Sequence, residues 1–134
     1  MKVIICIDDD CGMLFNKRRQ SRDSKLIEDI NALTDKLYIT SFSEKLFKDA
    51  KYSVTVNDSM LDIAGKDDFC FVEDRDISPY ENKIDKIIIY KWNRRYPSDF
   101  KFTFDLKRAG FSLASAYEFE GTSHDKITRE VFEK

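Results

Sequence analysis

From Val3 to Ile7 every side chain is apolar, and Asp8, Asp9 and Asp10 follow at once. A strand with one face in water alternates apolar and polar residues, whereas a strand apolar at every position needs cover on both faces. Continuous runs recur at Phe69–Val72 and, within a strand over Lys86–Trp92, at Ile87–Tyr90. Such segments belong at the centre of a sheet with helices on each side. The intervening stretches supply those helices. Ser21 or Asp23 can cap one running to about Thr34, in which Leu26, Ile27, Ile30 and Leu33 recur at three- and four-residue spacing. Leu37–Ser41 reads as a second strand. Ser43 to Ala50 reads as a short helix capped by Ser43, with Leu46 and Phe47 inward, and Tyr52–Val56 as an alternating β-branched strand. Ser59–Ala64 reads as a helical turn capped by Asp58 or Ser59 and ended by Gly65; Ser78 to Ile84 reads as a short helix with Pro79 at its first position. Phe100, Phe102 and Phe104 alternate with polar residues and predict a strand with one buried face. Phe111–Phe119 and Lys126–Phe132 predict two closing antiparallel strands. The sum is an α/β fold: a mixed sheet with a parallel centre and antiparallel C-terminal strands, flanked by short helices.

With 134 residues the chain has room for one core, so 1–134 is expected to be a single domain. A net charge of −2 excludes a generally basic nucleic-acid coat protein but leaves room for a local basic patch. No apolar run approaches the length of a membrane span, and the first is too short for a signal-peptide core, so a cytoplasmic location is expected. Cys6, Cys11 and Cys70 are odd in number and lack CxxC spacing, which fits reduced thiols. The four glycines are too scattered for a GxGxxG turn, a Walker loop or a GxSxG elbow. His124 is the single histidine, which excludes a multi-histidine zinc site and an HExxH helix.

In an open parallel sheet, ligands bind beyond the carboxyl ends of the strands. That rule selects Asp8, Asp9, Asp10, Gly12 and Met13, then Asn16, Lys17, Arg18 and Arg19; Ser41; Glu73, Asp74 and Arg75; and Trp92, Asn93, Arg94 and Arg95. Three readings stay open. In the first, Arg18, Arg19 and Arg22 hold a phosphate or carboxylate while Trp92 or Phe15 stacks on a ring. In the second, Asp8, Asp10, Glu73 and Asp74 bind Mg2+ for phosphoryl chemistry. In the third, the loops are charged because they are solvated, and their acids and bases pair with each other. Arg94 and Arg95, between Trp92 and Tyr96, form the cluster best suited to single-stranded RNA. His124 falls in the turn Gly121-Thr-Ser-His-Asp125, where a surface position is expected and Asp125 is the neighbouring carboxylate.

The strand Phe69–Val72, the short helix Pro79–Ile84, the strand Asp85-Lys-Ile-Ile-Ile-Tyr-Lys-Trp92 and the closing strands resemble the dihydrofolate reductase family. Val3–Ile7 followed by Gly12-Met13 is similar to that family's first strand and mobile loop. The resemblance implies a central eight-stranded sheet, an NADPH cofactor and a pterin-like substrate. It also marks departures. Reductases carry paired glycines after the Phe69–Val72 equivalent, where backbone amides meet the cofactor pyrophosphate; here the stretch is Glu73-Asp74-Arg75-Asp76, and carboxylates repel phosphates unless a cation intervenes. The phosphate-binding Gly-Arg-Thr-like residues after the second strand are replaced by Ser41-Phe42-Ser43. The substrate carboxylate of the first helix aligns near Lys25, with Asp23 the nearest acid. The pattern also resembles small bacterial proteins named as ribonuclease Z, yet that enzyme needs an HxHxDH motif and further histidines for two zinc ions, beyond what His124 alone can supply. The expectation is a protein binding a pterin, a nucleotide or another phosphorylated small molecule, with NADPH or Mg2+ as candidate cofactors. The alternatives are an RNA-associated or metal-dependent phosphodiester enzyme and a non-catalytic interaction module.

Overall fold

The computed structural model of the protein describes residues 1–49 and 53–134. Its strands are β1 (Lys2–Ile7), β2 (Gly12–Phe15), β3 (Arg18–Arg19), β4 (Lys36–Ile39), β5 (Ser53–Val56), β6 (Phe69–Phe71), β7 (Lys86–Lys91), β8 (Phe100–Lys101), β9 (Ser112–Phe119) and β10 (Ile127–Glu133). Two α-helices, α1 (Ser24–Leu33) and α2 (Met60–Ile63), and two 3-10 segments, Ser41–Phe47 and Ser78–Lys83, connect them. Seven strands form the main sheet in the order β5-β4-β6-β1-β7-β10-β9. From β5 to β7 every pairing is parallel, and β10 is antiparallel to both β7 and β9.

Alternate residues of the central strand serve two layers. Val3, Ile5 and Ile7 pack with Val72, Ile87, Ile89 and, from α2, Met60 and Leu61. Ile4 packs on the other face with Phe71, Ile88, Tyr90, Trp92 and, from α1, Leu26 and Ile30. Cover on both faces is the reason β1 shows no polar alternation. Burial of an aliphatic side chain such as Leu26 or Ile30 contributes about 1.5–3 kcal/mol and fixes α1 against the sheet.

The sequence predicts one loop from Asp8 to about Gln20. Instead, β2 and β3 form a hairpin, and β8 joins them in a separate sheet ordered β3-β2-β8. Leu14 pairs with Arg19 and Phe15 with Arg18, leaving Asn16 and Lys17 as a two-residue turn with φ of 51° and 59°. Positive φ at both positions matches the twist of a tight hairpin, but the Asn-Gly or Asp-Gly pair that advertises one is absent. The predicted Phe100–Phe104 strand shrinks to Phe100–Lys101, although Phe104 is still buried. The helix expected from Ser43 is a 3-10 segment beginning at Ser41, and Ser43 is buried within it rather than capping it. Ala50 and Tyr52, the predicted ends of that helix and of the following strand, lie outside the described residues. Among those residues no helix is long and apolar enough to cross a membrane.

This topology gathers distant residues at one edge. The parallel strands β1, β6 and β7 deliver Asp8, Glu73 and Trp92 to their carboxyl ends. Because β10 runs antiparallel to β7, pairing Thr128 with Lys91, the β9–β10 turn reaches the same edge. The first turn of α1 arrives there too, through Asp23.

Candidate functional site

Asp8 ends β1 with a buried carboxylate. Its Oδ1 accepts the N–H groups of Asp10 (2.9 Å) and Gly12 (2.7 Å); its Oδ2 accepts those of Tyr96 (3.0 Å) and the Gln20 side chain (3.1 Å). Burial acts to raise its pKa, but these donors outweigh burial and hold it below the usual carboxylate range. Asp8 therefore ties the β1–β2 turn to the segment after β7. Gly12 belongs to the same knot. A Cβ there would stand 2.6 Å from both Gln20 Nε2 and Ser98 Cβ.

The second buried acid, Glu73, receives a two-pronged contact from Arg19: Nε to Oε2 at 2.5 Å and Nη2 to Oε1 at 2.7 Å. Ser43 donates its hydroxyl to the same Oε1 at 2.6 Å. The paired-guanidinium geometry is the strong form of this contact. Cys6 lies near, its thiol pKa pushed well up by burial and by the Glu73 charge. Asp10 pairs with Arg95 at 3.1 Å and Asp74 with Arg75 at 3.2 Å.

The four acids of the Mg2+ reading thus do not converge. Each faces its own donors, and among the described residues no three metal-ligating side chains form a group. The RNA reading also loses its stacking faces. Trp92, expected to be open, is 4% exposed, and Tyr96 is half-buried. Arg94 and Arg95 are exposed without an interleaved aromatic surface.

The largest departure from expectation is His124. It is 4% exposed rather than a surface-turn residue, and its partner is Asp23, not Asp125. Asp23 caps α1 by accepting the Lys25 N–H at 2.9 Å. The same carboxylate accepts the N–H groups of Thr122 (2.9 Å) and Ser123 (2.8 Å), the Ser123 hydroxyl (3.2 Å) and His124 Nδ1 (2.9 Å). Burial raises the Asp23 pKa, but the donors overcome it and hold the group far below the usual carboxylate range. Only glycine allows the turn this close. A Cβ on Gly121 would sit 2.6 Å from Asp23 Oδ2.

An ionised carboxylate on Nδ1 holds an imidazole proton on that nitrogen, so in the neutral ring Nε2 is the acceptor. Nε2 faces two hydroxyls, Ser21 Oγ at 3.0 Å and Tyr96 OH at 2.9 Å. The Tyr96 hydroxyl also reaches Ser21 Oγ at 3.3 Å. Trp92 stacks on the imidazole, with ring centres 4.6 Å apart and planes 26° from parallel. Sequence reasoning missed this cluster. Asp23 was legible as a cap, but nothing local connects it to a histidine 101 residues away.

Two spaces border these groups. A cavity of about 20 Å3 lies between Cys6, Met13, Arg19, Ser21, Leu26 and Trp92, enough for one water-sized group. Outside it, a cleft of about 570 Å3 is lined by Phe15, Asn16, Arg18, Arg19, Gln20, Tyr96 and Pro97. Arg22 borders the small cavity and a separate groove of about 410 Å3 beside α1. Of the residues the sequence singled out, Arg18 and Arg19 meet at the cleft, and Met13, Arg19, Arg22, Glu73 and Trp92 meet at the small cavity. Asp8 and Gly12 stand behind the cleft as its scaffold. Asp10, Asp74 and Arg94 lie outside both spaces.

No protein-family model matches the chain. No curated protein matches it either. A solved structure does: dihydrofolate reductase from Enterococcus faecalis, complexed with NADP(H) and RAB-propyl, superposes with a TM-score of 0.66 at 6% identity, covering 98% of this chain and 94% of that one. The protein therefore has a dihydrofolate reductase-like fold, a mixed α/β sheet with a parallel centre and antiparallel closing strands.

Proposed function

We propose that the protein binds a small anionic ligand with a flat ring, a nucleotide or another phosphorylated small molecule, in the cleft at the carboxyl edge of the sheet. The cleft itself carries the reading. At about 570 Å3 it falls within the size range of small-ligand sites, and it lies where open α/β sheets bind ligands. Arg18 is exposed and, among the described residues, has no carboxylate partner. It supplies a guanidinium for phosphate, while Phe15, 41% exposed, supplies a stacking face.

The residues do not fit the nicotinamide cofactor of the reductases. Where paired glycines would open backbone amides to the pyrophosphate, Glu73 is buried under Arg19 and Ser43, and Asp74 follows. The acid nearest the family's pterin-holding carboxylate, Asp23, is occupied as well, because its oxygens already accept from Lys25, Thr122, Ser123 and His124. A shared fold does not carry its chemistry with it.

Calorimetric titration with nucleoside mono- and diphosphates, NADPH and dihydrofolate tests the proposal. The expected result is saturable binding of a phosphorylated member, weakened about tenfold or more by Arg18→Ala, the loss of one charge-assisted contact. NADPH with dihydrofolate should show no cofactor oxidation. Failure of every phosphorylated compound to bind at millimolar concentration, or an unchanged affinity in Arg18→Ala, overturns it.

A further inference from the structure

We infer that Ser21, His124 and Asp23 form a nucleophile–base–carboxylate relay that cleaves small carboxylic esters. The inference goes beyond ligand binding in the cleft and does not depend on it. Three geometric conditions define such a relay: a hydroxyl within hydrogen-bond reach of a base, a third group that orients the base, and a space where a substrate carbonyl can sit. The Ser21 Oγ to His124 Nε2 distance is 3.0 Å, and Asp23 Oδ2 holds Nδ1 at 2.9 Å. The orienting carboxylate is fully buried and fixed by backbone donors from two chain segments, so its position does not depend on the histidine. Stacking on Trp92 sets the plane of the ring. Ser21 borders the small cavity, and Tyr96, which reaches its Oγ, lines the open cleft.

A purely structural cluster needs Asp23 and the turn that holds His124, because together they fasten α1 to the β9–β10 connection. The buried Nε2 also needs one hydrogen-bond partner, which the Tyr96 hydroxyl supplies at 2.9 Å, but it does not need a second hydroxyl, Ser21 Oγ at 3.0 Å, beside a cavity. That excess geometry is what the relay explains.

The reaction balances without any further reagent except water. Ser21 Oγ bonds to the ester carbonyl carbon as its proton passes to Nε2. The carbonyl π electrons move to oxygen, and we assign the donor for that charge to the Tyr96 hydroxyl, which lies 3.3 Å from Oγ and 2.9 Å from Nε2. The tetrahedral centre collapses, the C–O bond to the alcohol breaks, and the alcohol leaves with the proton from Nε2. Water, deprotonated by the same nitrogen, attacks the acyl-serine. The carboxylic acid departs, and the proton returns to Oγ.

Space limits the substrate. The cavity behind Ser21 takes one water-sized group, about a methyl, so the acyl chain beyond the carbonyl carbon is limited to the methyl of an acetyl ester. The alcohol portion extends into the cleft beside Tyr96 and Arg18, which favours an anionic or ring-bearing alcohol.

The test is covalent labelling of the intact chain with a fluorophosphonate, read by mass, together with hydrolysis of aryl acetate and aryl hexanoate esters. The expected result is one adduct per chain, located at Ser21 and absent in Ser21→Ala. Labelling should slow about a hundredfold or more in His124→Gln. Tyr96→Phe, which deletes one oxygen, should depress acetate turnover about a hundredfold while leaving the adduct at Ser21. Acetate should turn over faster than hexanoate. No adduct at Ser21 in the folded wild-type protein overturns the inference and requires no variant to fold. Labelling at an unchanged rate in a folded His124→Gln protein overturns it equally.

Discussion

Asp23→Asn replaces one oxygen by an NH2 group and changes little else in shape. In the native chain Oδ1 accepts from Lys25 and Thr122, and Oδ2 accepts from the Ser123 N–H, the Ser123 hydroxyl and His124 Nδ1. Asparagine keeps the first set and turns the second into donors facing a donor. His124 can respond by moving its proton to Nε2, but the Ser123 N–H cannot move. One stranded backbone donor costs about 1–3 kcal/mol, and the remaining contacts lose their charge-assisted share. The total is about 3–5 kcal/mol, the usual cost of breaking a buried ionic cluster on one side. For 134 residues the unfolding entropy is about 0.28 kcal/mol per degree, so Tm should fall by about 11–18 °C.

The same group dictates an acid limb. The folded pKa of Asp23 lies below the unfolded value of about 3.9, so the unfolded chain binds the extra proton first. The stabilisation is complete above about pH 5 and drains away as pH falls from about 4 toward the folded pKa. The native protein should lose about 1.4 kcal/mol per pH unit more than Asp23→Asn over that interval. Urea unfolding of both proteins across an acid-to-neutral series measures both quantities. A loss below about 1 kcal/mol at neutral pH, or parallel acid limbs, refutes the assignment of Asp23 as the anion that fastens α1 to the β9–β10 turn.

Other substitutions probe the neighbouring contacts. Glu73→Ala strands the half-buried Arg19 and should cost about 3–5 kcal/mol, whereas Arg19→Met with Glu73→Leu should recover most of that in urea titrations. Gly12→Ala pushes a methyl against the Gln20 side chain and Ser98, and denaturant midpoints should show a loss of about 1–3 kcal/mol. Against a thiol reagent in native buffer, exposed Cys11 should react at once. Cys70, whose burial pushes its pKa up to about 12, should react only on unfolding, and the half-buried Cys6, whose thiol pKa is raised, should lag well behind Cys11, giving one fast thiol of three.

Much of the architecture was legible because its signals are local. Val3–Ile7 declares a strand covered on both faces, and Asp23 followed by Leu26, Ile27 and Ile30 declares a capped amphipathic helix. Those segments occur where expected. The β2–β3 hairpin was not legible, because Asn16-Lys17 adopts a positive-φ turn without the residues that usually mark one. Phe100–Phe104 has the alternation of a strand but pairs with β2 only over Phe100–Lys101; after Phe102, whose N–H donates to the Cys11 carbonyl at 2.8 Å, the Phe104 ring is packed without a ladder.

The site shows the same division more sharply. The rule that ligands sit at the carboxyl ends of parallel strands chose the edge where the cavity and the cleft lie, without naming which charges remain available there. Charge type alone cannot separate an acid that binds a ligand from one that binds its own backbone. Asp8 and Asp23 both have buried carboxylates filled by N–H donors, while Glu73 is filled by Arg19 and Ser43. What distinguishes Asp23 is that one of its donors is a titratable ring with a second nitrogen to offer. That pairing joins residues 101 apart and exists only because β10 runs back along β7 and returns its turn to the start of α1. A sequence can announce each partner, but only the strand order brings them within 2.9 Å, so the chemistry proposed here is a property of the topology rather than of any motif.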